Sequence, residues 1–487
     1  MKKVVIIGAG IAGLSAGIYA QKSGFDVTIC EQHSMSGGMC TSWRRKGYLF
    51  EGTLHWLTGS SEKTGLYKIW NETGALNPKV KIQLKDPFRM VESVHGPLFF
   101  YRDIEKTVKQ LLPLYPKEKK HLLRLMQDVK TIAKLETPAE NIKHLRMKNK
   151  PKIKWSKWLK MTPAFFRIVQ LSNQSCKDYL KDFSPELKNL FKITPDNFNA
   201  AAMFFTFGTI HAEDAGYPEG GSLPMIKRME ETFLAAGGKL HLKTKVKKVN
   251  IQQGKVNAVE GETEVFPADA VVVTQETIAA NKQLFEQPLT EKWIQEICRN
   301  TKPAVCTFIC IGIREKLEYL PVWNPKKPLE YANRTHDTLD FNLFSDEDGF
   351  APKGCTALTM EMLGDTYKFW KKAKKEGRYE QEKENLAQQI SDAFEEKFPG
   401  YKEKIEVIDI ATPLTYERYT SAYHGSWMSV FRVGEILKRY PGDVSSVKGL
   451  YFAGHRMTKP GGLPIALVSG RKAAQLICRQ FDQEFST

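Results

Sequence analysis

At 487 residues the chain is too long for one simple domain, and its 42% hydrophobic content is ordinary for a globular protein. A formal charge of +17 asks for an anionic partner, yet no helix-turn-helix, zinc or RNA-binding signature makes that partner a nucleic acid. No apolar run is long enough to span a bilayer, and the eight cysteines stand singly without a CxxC pair or Cys/His cluster, so neither a metal site nor a disulfide framework is expected.

The chain enters a β-branched run, Lys2–Ile7, at once. That leaves no room for a signal peptide and makes a cytoplasmic protein the expectation. Gly8-Ala9-Gly10-Ile11-Ala12-Gly13 follows, then a helical stretch, Leu14–Ser23, and a second strand, Asp26–Cys30, ending at Glu31. This is a strand–turn–helix–strand unit with glycine at the three fingerprint positions of a dinucleotide site. Gly8 makes the tight turn, Gly10 lets a pyrophosphate approach the backbone, and Gly13 lets helix and strand pack closely. Ile11 and Ala12 lie in the same segment, where the helix N-terminus offers free N–H groups to phosphates. Glu31 stands where a carboxylate accepts hydrogen bonds from both ribose hydroxyls and repels a 2′-phosphate. A second glycine doublet, Gly37-Gly38 before Met39, is not needed for NAD.

That doublet resembles the extension found in FAD enzymes of the amine oxidase and phytoene desaturase superfamily, where it runs along the pyrophosphate and ribityl chain. Many relatives carry Arg where this chain has Met39. Tyr48–Trp56 is similar to the "FDTGLH" segment of the retinol saturase and carotenoid isomerase branch, with Glu51 in place of the usual Asp. The resemblance implies that His55 lies near the flavin. The alternative is a structural histidine held by backbone partners.

From about Gly74 the composition changes. Short strands are expected in Lys81–Leu84, Phe88–Val91 and Leu98–Tyr101, then amphipathic helices over Arg102–Leu114 and Lys117–Leu135. Residues 141–171 interleave Arg146, Lys148, Lys150, Lys152, Lys154, Lys157 and Lys160 with Ile153, Trp155, Trp158 and Leu159, and Thr162-Pro163 is read as a break. Basic residues among aromatic ones describe a segment lying in a membrane interface, which makes a peripheral membrane surface the expected partner. The other reading is a solvated basic lid with its tryptophans packed inward. Ala200–Phe207 is strongly apolar, and Met203, Phe204, Phe205 and Phe207 suit either a hydrophobic tunnel or a core.

Gly216–Ser222 resembles the family's "YPxGG" turn back to the cofactor half. A helix over Leu223–Ala236 and consecutive strands over Lys239–Thr274 come next, and the resemblance assigns the backbone of Val246 to the adenine. The second excursion, from about Thr301 to Met428, has strand candidates at Val305–Gly312, Ala357–Leu363 and Ile405–Ile410. After Thr412-Pro413, relatives build the wall opposite the flavin, which makes Tyr416, Tyr419 and His424 candidate substrate contacts; each is otherwise a packing residue of a sheet. Gly449–Gly454 and Pro460–Ala466 closely resemble the family's C-terminal FAD motif. Gly454, Gly462, Leu463, Pro464 and Ile465 would face the flavin there, and His455 replaces the acidic residue of many relatives.

The expected fold is α/β, a Rossmann-type FAD-binding domain (residues 1–75, 216–300 and 431–487) interleaved with an α+β substrate domain (76–215 and 301–430). The resemblance implies an FAD-dependent oxidoreductase moving hydride between flavin N5 and a carbon of a lipophilic polyene or isoprenoid. NAD(P)H as external reductant would have to act without a Rossmann domain of its own. A soluble-amine oxidase and a non-enzymatic lipid or prenyl carrier are the alternatives.

Overall fold

The computed structural model describes residues 1–137, 141–147, 155–435 and 437–487, with only the backbone of residues 155–158 and 160. Of the expected membrane segment, Lys148, Lys150, Lys152, Ile153 and Lys154 therefore lie outside the described residues, as do the side chains of Trp155, Lys157, Trp158 and Lys160.

After its exposed first residue the strand Lys3–Ile7 is buried along its whole length. An apolar run of this kind suits a central parallel strand, covered on both faces. It pairs in parallel with Asp26–Cys30 on one side and Ala270–Val273 on the other, and Lys239–His241 and Leu450–Phe452 complete a five-stranded sheet. The helices Ile11–Lys22, Ser222–Ala235 and Leu463–Gln480 pack together against this sheet. The first and last of them touch at Gly470, where a Cβ would come within 2.2 Å of the Ala12 carbonyl oxygen. A separate antiparallel meander, Val246–Gln252, Lys255–Gly261 and Val265–Pro267, lies beside the sheet.

Most of the other described residues form a helical lobe and a second large sheet, as well as several two- and three-stranded ribbons. The sheet runs Asn342–Ser345, Thr356–Leu363, Cys306–Ile313, Ile405–Ala411, all antiparallel. Its central strand Cys306–Ile313 is buried throughout and sorts its side chains by period two. Ile309, Ile311 and Ile313 pack with Trp370, Leu386 and Phe394 of two covering helices. Cys306, Phe308 and Cys310 pack with Tyr48 and Phe50 of the cofactor half. In the helical lobe, the helix Ala200–His211 buries Met203, Phe204 and Phe207 fully in an aromatic core with Phe100 and Phe191. Each such side chain contributes about 1.5–3 kcal/mol by burial.

Two expectations are corrected here. The run through Pro163 is not broken: one helix spans Trp155–Ser172 with Pro163 inside it. Proline there withholds an amide from the Leu159 carbonyl, and the turns after it are anchored by the buried Ala164 and Leu171. The stretch after Thr412 is a helix, Pro413–Thr420, started by a Thr412/Thr415 capping box, and not a strand of a sheet.

Candidate functional site

A cavity of about 1590 Å³ runs from the carboxyl ends of the parallel strands into the helical lobe. Its first half is made of backbone. Gly8 (φ +103°), Gly37 (φ +127°) and Gly38 (φ +60°) adopt conformations that favour glycine, and Gly8, Gly10, Ile11, Ala12, Gly37, Gly38 and Met39 line the cavity. The Gly37 amide donates to the Ala9 carbonyl at 2.9 Å, which docks the doublet against the fingerprint turn. Gly13 lies behind the wall, where a Cβ would stand 1.9 Å from the Gly8 carbonyl oxygen. Glu31 lines the cavity while accepting from the Ala9 amide at 2.7 Å and the His33 amide at 2.9 Å. Val246 lines the same end.

The second cradle comes from the other end of the chain. Gly454 (φ +131°), Gly461 (φ +119°) and Gly462 (φ +95°) form the turn before the helix Leu463–Gln480. Gly454, His455, Gly462, Leu463, Pro464 and Ile465 all line the cavity. His455 is held well below the usual histidine range by burial and by the Arg456 charge. It therefore stays neutral, and its buried Nδ1 has no partner among the described residues. Two helix N-termini with glycine entries, facing one cavity, supply N–H groups and positive potential for a long anionic cofactor. These residues fit a flavin dinucleotide: the glycines leave the room that its phosphates and ring require, and a Cβ at several of them would fill it.

The other half of the cavity is lined mainly by apolar side chains. Phe165, Ile168, Val169, Phe198, Ala201, Ala202 and Phe205 line it, with Leu363, Trp427, Met428 and Phe431 across from them. The sequence pointed to four residues of the Ala200–His211 helix as tunnel candidates, and only Phe205 among them faces the cavity. His55 lines this half, with its Nε2 3.0 Å from the Glu361 carboxylate, which also lines it. Burial alone would lower the His55 pKa, but the charge and hydrogen bond of Glu361, with Glu51 behind, raise it above its ordinary value. The buried Nδ1 makes no hydrogen bond of normal geometry among the described residues, although the Asn342 side chain lies close enough to favour the charged ring as well. Sequence reasoning missed Glu361. Its signal was a lone charge in the otherwise uncharged strand Thr356–Leu363.

Three of the candidate substrate contacts are relocated. Tyr416 does not line the cavity; it packs into the cluster of Tyr48, Cys306 and Phe308, because the helix Pro413–Thr420 turns that face toward the sheet. His424 does not line it either. Its ring stacks between Tyr367 at 4.3 Å and Tyr423 at 3.9 Å, on a backbone with φ +55°. Tyr419 lines the cavity, but at the Glu31 end, where its carbonyl accepts from Gln32 and its ring meets His33.

Two buried carboxylates hold these parts in register. Glu51 is fully buried and accepts from the Thr53, Leu54 and Ser222 amides, the Ser222 hydroxyl and the Tyr217 hydroxyl. It caps the helix Ser222–Ala235, whose own N-cap, Gly221, has no side chain to do so. It thereby ties the segment bearing His55 to the Tyr217–Gly221 turn. Glu276 pairs with Arg456 at 2.7 Å, both almost wholly buried. Arg456 also donates to the Ser426 and Ser429 hydroxyls, so the turn after Gly454 is fastened to the returning chain.

Two glycine-entered helix N-termini converging on a cavity with an apolar arm define a dinucleotide-dependent oxidoreductase. The chain belongs to the family of flavin containing amine oxidoreductases, whose sequence model matches residues 11–478. It is thus a flavin-dependent oxidoreductase. It is 23% identical to the 1-hydroxycarotenoid 3,4-desaturase of a Flavobacterium species, covering 98% of this chain and 99% of that protein. It is 22% identical to the all-trans-retinol 13,14-reductase of Danio rerio, over 92% of this chain and 82% of that one. Among solved structures, an oxidoreductase from Methanosarcina mazei shares the fold with a TM-score of 0.62 at 17% identity, covering 96% and 99% of the two chains.

Proposed function

We propose that the protein uses FAD to exchange hydride with a carbon of a lipophilic polyene or isoprenoid, of the carotenoid or retinoid class. The observation that carries this reading is the apolar arm, continuous with the cofactor cradle in one cavity of about 1590 Å³. The names of the relatives, a carotenoid desaturase and a retinol reductase, support the same class. FAD, when bound by the Gly8–Gly13 and Gly454–Ile465 cradles, would supply the hydride chemistry.

The chain's own residues supply binding, dryness and a proton site. Phe165, Ile168, Phe205 and Trp427 line the arm with apolar surface, which binds a hydrocarbon chain by desolvation and excludes water. When hydride is exchanged at one carbon of an alkane–alkene pair, the neighbouring carbon gains or loses a proton. His55 is the group for that transfer, at Nδ1, with Glu361 on Nε2 fixing the ring and stabilising its charged form. In the saturating direction an external NAD(P)H is the source of reducing equivalents.

The test is an anaerobic absorbance titration of the purified flavoprotein with lycopene, retinol, putrescine and NADPH as separate probes. Bleaching by a polyene, or bleaching by NADPH that a polyene reverses, is the expected result. Bleaching by putrescine with no response to either polyene would overturn the substrate class.

A further inference from the structure

We propose that the mouth of the cavity docks on an anionic lipid bilayer, through the helix Trp155–Ser172 together with a second element, the chain at residues 432–435 and 437–439. The composition of residues 141–171 alone suggested a membrane-facing segment. The structure adds where its residues from 159 onward sit and what stands beside them.

Large apolar side chains are normally scattered singly over a protein surface. Here five of them stand on two elements, and two of the five also line the cavity. On the helix, Leu159 is 74%, Phe165 58% and Phe166 64% exposed; on the loop, Val433 is 47% and Leu437 56% exposed. Leu159 and Phe166 are two turns apart and share a helix face. Phe165 and Leu437 are exposed and also line the cavity, so these two stand at its mouth, with Phe166 and Val433 beside them in the chain.

The two elements are fastened together. The Gly434 amide donates to the Ser172 carbonyl at 2.8 Å, and the Asn199 side-chain amide donates to the carbonyls of Arg432 and Glu435 at 3.0 Å each. An apolar rim held rigid in this way presents one surface.

Charge decides between occupants. In sequence, residues 141–171 carry nine Lys and Arg and no Asp or Glu, and two of them, Arg146 and Arg167, pair with Asp482 and Asp128. Lys143, which is exposed, lines the cavity itself. A second copy of this chain would bring the same cations against these. An anionic headgroup layer complements them, while the aromatic and aliphatic rim reaches the acyl boundary. The same arrangement lets a lipid-dissolved molecule pass from bilayer to cavity without crossing water. That consequence rests on the proposed polyene substrate; docking itself does not.

The experiment is co-sedimentation of the full flavin-loaded chain with substrate-free vesicles. One set is pure phosphatidylcholine and the other contains about one third phosphatidylglycerol. The double variants Val433→Ser/Leu437→Ser and Phe165→Ser/Phe166→Ser are compared with Val265→Ser, which removes an exposed valine of the meander that does not line the cavity. Flavin absorbance and melting temperature report folding.

Wild type and Val265→Ser should bind the anionic vesicles, more weakly at high salt, and each rim variant should lose at least about tenfold in partitioning. A loop variant that binds like wild type overturns the proposal. So does sedimentation equilibrium showing a wild-type dimer that the loop variant abolishes, which assigns the patch to a second copy. Vesicle binding without any response to polyenes overturns the substrate reading alone.

Discussion

The cofactor cradle and the apolar arm are halves of one cavity built in opposite ways. The cradle is backbone: glycines at forced conformations, two helix N-termini, and carboxylates that bond amides. Each part is set by a few neighbouring residues. The arm is side chain: Ile168, Phe205, Leu363, Trp427 and Phe431 come from separate elements of two lobes, and none is informative alone. A cradle fails when a single atom is added. An arm tolerates exchange of one apolar group for another and changes its fit instead.

The largest effect should come from adding such an atom. In Gly13→Ala the Cβ meets the Gly8 carbonyl oxygen at 1.9 Å, and backbone cannot yield as a flexible side chain can. The variant should purify without flavin, read as the absorbance ratio of flavin to protein. An arm substitution such as Phe205→Leu should keep its flavin.

Next is the fastening between the halves. Glu276→Gln leaves Arg456 buried without its charge partner, which costs about 3–5 kcal/mol. Chemical denaturation should show that loss, and a Glu276→Gln/Arg456→Met pair should recover part of it. Equal stability of wild type and Glu276→Gln would show that the two serine hydroxyls suffice for Arg456.

Phe207→Ala and Phe205→Ala separate core from arm on a single helix. The first empties a packed aromatic site and should cost about 3–5 kcal/mol. The second opens onto the cavity and should melt close to wild type while changing polyene affinity. Equal destabilisation of both would erase the distinction.

The smallest effect concerns pH. Glu361 raises the His55 pKa, so the pair stabilises the fold while His55 is charged. That contribution is fully present below the unfolded histidine value of about 6.5 and is lost as pH rises through the folded value. The stability gap between wild type and Glu361→Gln should therefore shrink with rising pH. Histidine NMR should show the His55 pKa lower in the variant, since burial then acts without the opposing charge. A gap that widens as pH rises would contradict the pairing.

Much of the cradle was legible because its signals are local. Gly8-x-Gly10-x-x-Gly13 lies between a strand and a helix, and Gly454 and Gly462 repeat that grammar near the other end. The five-stranded sheet follows from the same alternation. The Pro163 position misled because a missing amide reads as a break, whereas the helix continues past it into turns anchored by Ala164 and Leu171. The tyrosine and histidine candidates after Thr412 misled because proximity in sequence to the flavin wall does not fix which side of a helix faces it.

The sequence by itself therefore determined the cofactor half and the family: turn geometry and helix termini depend on residues a few positions apart. Only the tertiary structure decided that Glu361 meets His55 across 306 positions, that Phe205 rather than Phe204 or Phe207 faces the cavity, and that Leu437 shares a rim with Phe165. Those facts depend on the register and rotation of packed elements. A rotation of one residue on a helix, about 100°, exchanges core for cavity, and composition is unchanged by it.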